Sequence, residues 1–396
     1  MRRREFLFLA AAAMLPRFSF AKDLPRDVKI VRIIAFDLPT KRTKVVGKNA
    51  RLDVHGDRSA DRIVRLIASD GTEGFGCCRA DEKTLTTLLD KSVDDLFKSH
   101  ASLGPHAAPL WDLAGKIARK PVYELLSDGK VTEAKRVRIY DGSVYFSDLL
   151  EPHMHRWPER FKEEVDEILS RGHRAFKVKI GRGAKWMDRA VGDARDIEVL
   201  NILRKHAGRD VAIAVDANNG YDIDRTKTLL NALPDFNFDF IEEMFPEKID
   251  DDLALKQFIR DKRLKTLVAD GETQHDVEPL KPFMSAKAID LYQLDVNGVG
   301  IDGLMQEAAL CEPHGGQIAP HTWGTLLGFY AQLHVAAAIP NFYSGEQDPL
   351  ASDALIADGY TIKDGTIAVP DTPGFGLRLD RRRVDDIKPI FDLKGA

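Results

Sequence analysis

Short apolar runs of strand length punctuate this chain, and the spacing between them changes once. Residues 30–35 and 63–68 are apolar apart from Arg32 and Arg65, and the second run leads into Asp70-Gly71, a tight-turn signal. Helical periods follow over residues 83–98 and 109–126. In the latter, Leu110, Trp111, Leu113, Ala114, Ile117 and Ala118 fall on one face. Strands followed by helices predict an α+β unit over residues 28–130. From residue 137 the rhythm becomes apolar strand, loop, helix, repeated. Strand cores are read at 137–140, 175–180, 211–215, 238–241, 264–269, 289–294, 317–319 and near 342–344, with helices such as 194–206 and 226–233 between them. Eight such strands predict an α/β fold of the TIM type, a (β/α) barrel over residues 137–369. An open doubly wound sheet would announce itself with a Gly-rich first turn, which the sequence lacks. The turn-rich stretch from Val369 to Gly376 opens a tail, about 370–396, expected to return to the N-terminal unit.

Composition narrows the function classes. The 396 residues are 44% hydrophobic, enough for a large core, and 58 Lys plus Arg against 62 Asp plus Glu give a net charge of −4. With no basic stripe interleaved with aromatics, nucleic acid is not an expected partner. Residues 1–21 read as an export signal of the twin-arginine type. Arg3-Arg4-x-Phe6-Leu7 precedes an apolar run too short to span a bilayer, and a small-x-small site ends it. The expected location is the periplasm, without stable membrane association after cleavage. Cys77, Cys78 and Cys311 make no disulfide framework. Cys77 and Cys78 read as two small strand residues, with a vicinal disulfide as the alternative.

Chemistry concentrates at the C-terminal ends of the barrel strands, where barrel enzymes build their sites. The second strand ends in Lys177-Val178-Lys179 and the third in Asp216-Ala217-Asn218. The fourth ends in Glu242-Glu243 and the fifth in Asp270-Gly271-Glu272. The sixth ends in Asp295, the seventh in His321 and the eighth in Glu346. Each step along Asp216, Glu242, Glu272, Asp295, His321 and Glu346 is 23 to 30 residues, one helix plus one strand. Three carboxylates from adjacent strands form a hard, oxygen-rich site that suits Mg2+. Lys177 and Lys179 share a strand face, because side chains alternate. Beside a divalent cation and each other, the neutral amine is favoured, so the Lys179 pKa is expected to fall and make it a base near pH 7. His321, if paired to Asp295, is a second acid or base.

These residues resemble the enolase superfamily, in particular its mandelate racemase subgroup. The matching motifs are Lys177-x-Lys179, Val215-Asp216-Ala217-Asn218, Ile241-Glu242-Glu243, Gly271-Glu272, Asp295, Ala319-Pro320-His321, and Ile339-Pro340-Asn341-Phe342 leading to Glu346. The resemblance implies a (β/α)7β barrel with an α+β cap formed by both chain ends. It implies Mg2+ on Asp216, Glu242 and Glu272. Lys179 would be one base, with Lys177 lowering its pKa and touching the substrate carboxylate. His321, held by Asp295, would be the other acid/base, and Asn218 and Glu346 would contact substrate. The pattern departs at Glu242-Glu243-Met244-Phe245-Pro246-Glu247, which leaves Glu243 and Glu247 as alternative ligands, and Asp270 competes with Glu272.

The function expected is abstraction of a proton α to a carboxylate through an enediolate, then loss of a β-hydroxyl: a sugar-acid dehydratase yielding a 2-keto-3-deoxy acid. A racemase or epimerase uses the same residues, and a non-catalytic periplasmic sugar-acid binding protein is a third reading. The partner is a small carboxylate, and a homo-oligomer is expected. The cap loop from Pro39 to Arg58 should cover the mouth. Its Lys41, Arg42, Lys44, Lys48, Arg51, His55 and Arg58 suggest a positive lid suited to a hydroxylated acid. Tyr140, His275 and Trp323 are further candidates near strand ends.

Overall fold

The structure is a computed structural model that describes residues 24–98, 103–133 and 135–395. The predicted export segment, residues 1–21, lies outside the described residues. Among the described residues no helix is long and apolar enough to cross a membrane.

The chain opens with an antiparallel sheet of β1 (Ile30–Val46), β2 (Gly56–Ala68) and β3 (Glu73–Cys77). The last strand, Phe391–Lys394, pairs antiparallel with the start of β1, so the tail completes the N-terminal unit. Where one helix was expected over 83–98, the structure has two short ones, Glu82–Thr86 and Val93–Lys98. Between them Asp90 adopts a left-handed conformation (φ 62°) and donates its N–H to Ile30 O at 2.8 Å. Pairing with β1 therefore wins over helical continuity. The expected helix over 109–126 is likewise split into Ala108–Ala118 and Val122–Leu126. Arg119 turns left-handed (φ 56°), and Pro121 disfavours helix at the residue before it.

The barrel strands are β4 (Lys135–Val144), β5 (Ala175–Lys179), β6 (Ala212–Asp216), β7 (Phe240–Glu242), β8 (Leu267–Asp270), β9 (Leu291–Tyr292), β10 (Gln317–Ile318) and β11 (Gly345–Gln347). Neighbours pair in parallel from β4 to β10, and β11 returns to pair with β4. A helix joins each consecutive pair, so the fold is a (β/α)7β barrel with an α+β cap. The eighth strand lies later than the expected 342–344. Phe342 forms a single bridge to Ile318, and the ladder to β4 begins at Gly345. The closing segment thus serves two neighbours in turn.

Alternation divides the barrel strands cleanly. Tyr140, Ala175, Ala214, Phe240, Leu291 and Ala319 plug the barrel interior, where small alanines leave room for two rings. Phe176, Val178, Ile180, Val215 and Ile241 face outward onto the helices Trp157–Ser170 and Arg189–Ala207. On the other side of the barrel, Leu304, Leu326 and Val335 share one core with Ile33, Leu66 and Trp111 of the cap. Cap and barrel are therefore joined by continuous apolar packing. Polar ties reinforce the seam: Asp61 of β2 accepts the N–H groups of Leu326 (2.9 Å) and Leu327 (2.8 Å), the first residues of helix Leu326–Ala338.

Candidate active site

Two positions beyond the barrel plug, on the same inward face, stand Lys177, Asp216, Glu242, Gln293 and His321. One further step along β5 brings Lys179. These side chains meet at the C-terminal mouth because strand alternation and parallel register put them there. Asp270 faces the other way, and its carboxylate accepts the Gly271 N–H. Gly271 (φ 124°) then turns the chain in a conformation that favours glycine, and Glu272 enters the mouth.

Carboxylate oxygens of Asp216, Glu242 and Glu272 lie within 4.8 Å of one another. Glu243, the alternative on the fourth strand, is buried, with its carboxylate accepting from the Asn218 amide at 3.0 Å. Glu247 instead accepts from Thr273 Oγ1 at 2.8 Å. The three clustered acids are hard oxygen donors, and two of them are fully buried. Burial, then repulsion from Asp216, Glu272 and Glu346, pushes the Glu242 carboxyl up to about 8 although Lys177 pulls it down. Such a concentration of like charge in a buried mouth fits a divalent cation ligated by oxygen.

The lysines partner different acids. Lys177 Nζ lies 2.7 Å from Glu242 Oε1 and 3.0 Å from Glu346 Oε1, and is fully buried. Lys179 Nζ contacts Asp216. Burial disfavours the charge on Lys179, but Asp216 and Tyr145 outweigh it, and the amine titrates above its ordinary range. Asp216, the main source of this rise, is also one of the acids that would hold Mg2+, and ligation there would withdraw the attraction that keeps the amine protonated, so the fall expected beside the cation stands as an expectation. Asp216 is in turn held well below the usual carboxylate range, since both lysines overcome its burial.

On the opposite side, His321 Nδ1 is 2.8 Å from Asp295 Oδ2, and its Nε2 is 3.2 Å from Glu272 and 3.8 Å from Glu346. Burial alone would lower the imidazole, but Glu272, Asp295 and Glu346 raise it well above its ordinary value. Asp295 also caps helix Val296–Cys311 through the Asn297 N–H. Its pKa falls because His321 and these hydrogen bonds outweigh burial.

All nine residues read from the strand ends as site residues thus converge on one mouth. Asn218 enters it with its amide nitrogen toward Glu243 and Glu272, and its buried Oδ1 has no hydrogen-bond partner among the described residues. Of the further candidates, Tyr140 lies in the barrel plug, its ring 5.7 Å from Lys177 Nζ. His275 is exposed on the loop after β8. Trp323 stacks on Tyr145 with ring centroids 4.9 Å apart. Sequence reasoning missed Gln293, whose amide donates to Glu242 at 2.8 Å. Its signal was present, two positions before Asp295 on the same face. Tyr145, whose ring lies 5.3 Å from Lys179 Nζ, carried no signal because it follows the strand in a loop.

Residues 160–383 match the family model described as enolase C-terminal domain-like. The chain belongs to the enolase superfamily, in its mandelate racemase subgroup. It is 30% identical over 312 residues to arabinonate dehydratase of Saccharolobus solfataricus, covering 76% of this chain and 77% of that one. It is 26% identical to D-galactarolactone cycloisomerase of Agrobacterium fabrum, covering 84% and 92%. Among solved structures, a mutant galacturonate dehydratase from Geobacillus sp., complexed with Mg, superposes with TM-score 0.86 at 30% identity over 91% of this chain and 95% of that one.

Proposed function

We propose that this superfamily member is an Mg2+-dependent sugar-acid dehydratase. The observation that carries the reading is the placement of Lys179 and the His321–Asp295 pair at one mouth with three clustered carboxylates between them. Asp216, Glu242 and Glu272 would hold Mg2+, which supplies Lewis-acid stabilisation of charge on the substrate's carboxylate oxygens. Lys177 would bind that carboxylate from the far side. Lys179 would take the proton α to the carboxylate, and Glu346 would face the charge that develops. His321, held in orientation by Asp295, would protonate the departing β-hydroxyl. The product is an enol that becomes a 2-keto-3-deoxy acid. The dehydratase relatives support this outcome.

The cycloisomerase relative favours a second reading, in which His321 returns a proton and the product is an isomer. The two are separated by assaying for a 2-keto acid after incubation with Mg2+ and a panel of aldonic and uronic acids. The proposal expects a keto acid that disappears on chelation of the metal. An isomer without keto acid would transfer the chain to the second reading.

The start Arg2-Arg3-Arg4-Glu5-Phe6-Leu7 supports export to the periplasm. Replacing Arg3 and Arg4 by lysine is expected to retain the protein in the cytoplasm. Undiminished periplasmic protein would rule out the twin-arginine route.

A further inference from the structure

Beside Lys179 the mouth is walled by aromatic rings. Tyr145 lies next to the Lys179 amine, and Trp323 stacks on Tyr145 with an interplanar angle of 27°. His55, from the cap loop between β1 and β2, stands edge-on to both, 4.9 Å from Tyr145 and 6.1 Å from Trp323. The residue is anchored through its backbone, whose N–H donates to Val46 O at 3.0 Å. Its Nε2 is buried and has no hydrogen-bond partner among the described residues. Leaving a buried polar atom unpaired is unfavourable, so a group that arrives to pair with it is favoured there.

Part of the lid's positive charge is tied to acids, while Arg51 and Arg58 stay exposed. Arg42 makes a two-pronged ion pair with Asp348, at 2.7 and 2.5 Å, with both side chains buried. Lys44 lies 3.1 Å from Glu164, and Lys48 lies 3.5 Å from Asp53 and 4.1 Å from the Trp186 ring centroid. These charges are matched within the protein. Burial, with help from Lys179 and Arg42, pushes His55 down to about 4, so its ring is neutral at neutral pH. A second carboxylate placed against this wall would lose its water beside a neutral ring and an Arg42 already paired with Asp348. A hydroxyl would find a hydrogen-bonding nitrogen and aromatic faces for its C–H groups.

We infer that this wall receives the uncharged, hydroxylated tail of a monocarboxylic sugar acid, with His55 Nε2 hydrogen-bonded to a tail hydroxyl, and that the site discriminates against the matching dicarboxylic acid. The inference rests on the sugar-acid reading for the class of ligand but not on the outcome of the reaction. His55 is a specificity residue that acts on the substrate's tail and not on its α proton.

The test is calorimetric binding to the Mg2+-loaded protein, run beside α-proton exchange in D2O. The probes are aldonic and uronic acids, the aldaric acids of the same configuration, and lactate as a tailless 2-hydroxy acid. Monoacids should bind at least about tenfold more tightly than their diacids. His55→Phe keeps a ring against Tyr145 and Trp323 but removes the nitrogen, and should weaken monoacid binding about tenfold with a much smaller effect on lactate. His55→Asn, which can still hydrogen-bond, should recover part of the loss if Phe disturbs packing. Diacids that bind as tightly as monoacids, or monoacid affinity that is unchanged in His55→Phe, would overturn the inference. Selective, His55-dependent binding without exchange would uphold it while removing the dehydratase reading. Failure of every acid to bind would overturn both.

Discussion

Lys177 and Lys179 occupy successive inward positions of one strand, and each meets a different acid. Lys177 is locked between Glu242 and Glu346, while Lys179 reaches Asp216 beside Tyr145. That division fits a split role, in which Lys177 is a fixed charge and Lys179 a movable proton site. Lys179→Ala and His321→Ala should each lower turnover by about 10²–10⁴-fold, the usual contribution of a positioned acid or base. Their circular dichroism should match the parent's. Full turnover in either variant would contradict the assigned roles. At this scale much of the site was legible, since Lys177, Asp216, Glu242 and His321 are fixed by alternation and strand spacing. The partner of Lys179 was not. Spacing places a lysine on a face but does not say that Asp216 will meet it.

Elements shape the site through a few backbone exceptions. Gly142 lies on β4 at a register shift, and a Cβ there would run into the Glu346 carboxylate. Gly142→Ala should displace Glu346 from Lys177 and Thr322, whose N–H it accepts at 3.0 Å. The expected result is a fall in turnover larger than the shift in melting temperature accounts for, measured by steady-state assay and thermal melting on the same preparation. The sequence pattern located seven of the eight barrel strands and placed the eighth a few residues early. It joined 83–98 and 109–126 into long helices because amphipathic spacing continues across Asp90 and Arg119. Long-range pairing with β1 and the left-handed turn at Arg119 end those helices, and neither is written in local periodicity.

At the scale of the molecule, the cap is bound to the barrel by buried polar ties whose loss should be measurable. Asp348 follows Glu346 on the closing strand segment. It holds Arg42 of the cap and the Gly324 N–H of the loop that carries His321 and Trp323. Arg42→Ala leaves a buried carboxylate unpaired and should cost about 3–5 kcal/mol of stability, read by denaturant unfolding. A second seam joins three segments in one hydrogen-bonded chain. Tyr123 N–H donates to His334 Nδ1 at 3.2 Å, His334 Nε2 is 2.8 Å from Tyr360 Oη, and Tyr360 donates to Phe375 O at 2.6 Å. This order needs a neutral imidazole protonated only on Nε2. Burial lowers His334 to about 3. The unfolded chain therefore binds a proton below about pH 6.5 that the folded chain refuses, and stability falls as pH drops from there toward 3. The slope from this residue approaches about 1.4 kcal/mol per pH unit within that window. His334→Gln should flatten the dependence of melting temperature between pH 6.5 and 5, and an unchanged profile would remove His334 as its source. The partition into cap and barrel could be read from the change in rhythm near residue 137. The seam could not, because Arg42 and Asp348 are separated by more than 300 residues and nothing local marks them as partners.

Under the proposed function, Lys179 removes the proton α to the substrate carboxylate at a Mg2+ site. Proton NMR in D2O, with Mg2+ and a panel of aldonic and uronic acids, tests it directly. The expected result is loss of the α-proton signal and growth of a 3-deoxy methylene in the parent protein, with neither in Lys179→Ala. A parent that turns over a sugar acid while its α-proton signal is retained, or a Lys179→Ala variant that exchanges it at the parent's rate, would contradict the account.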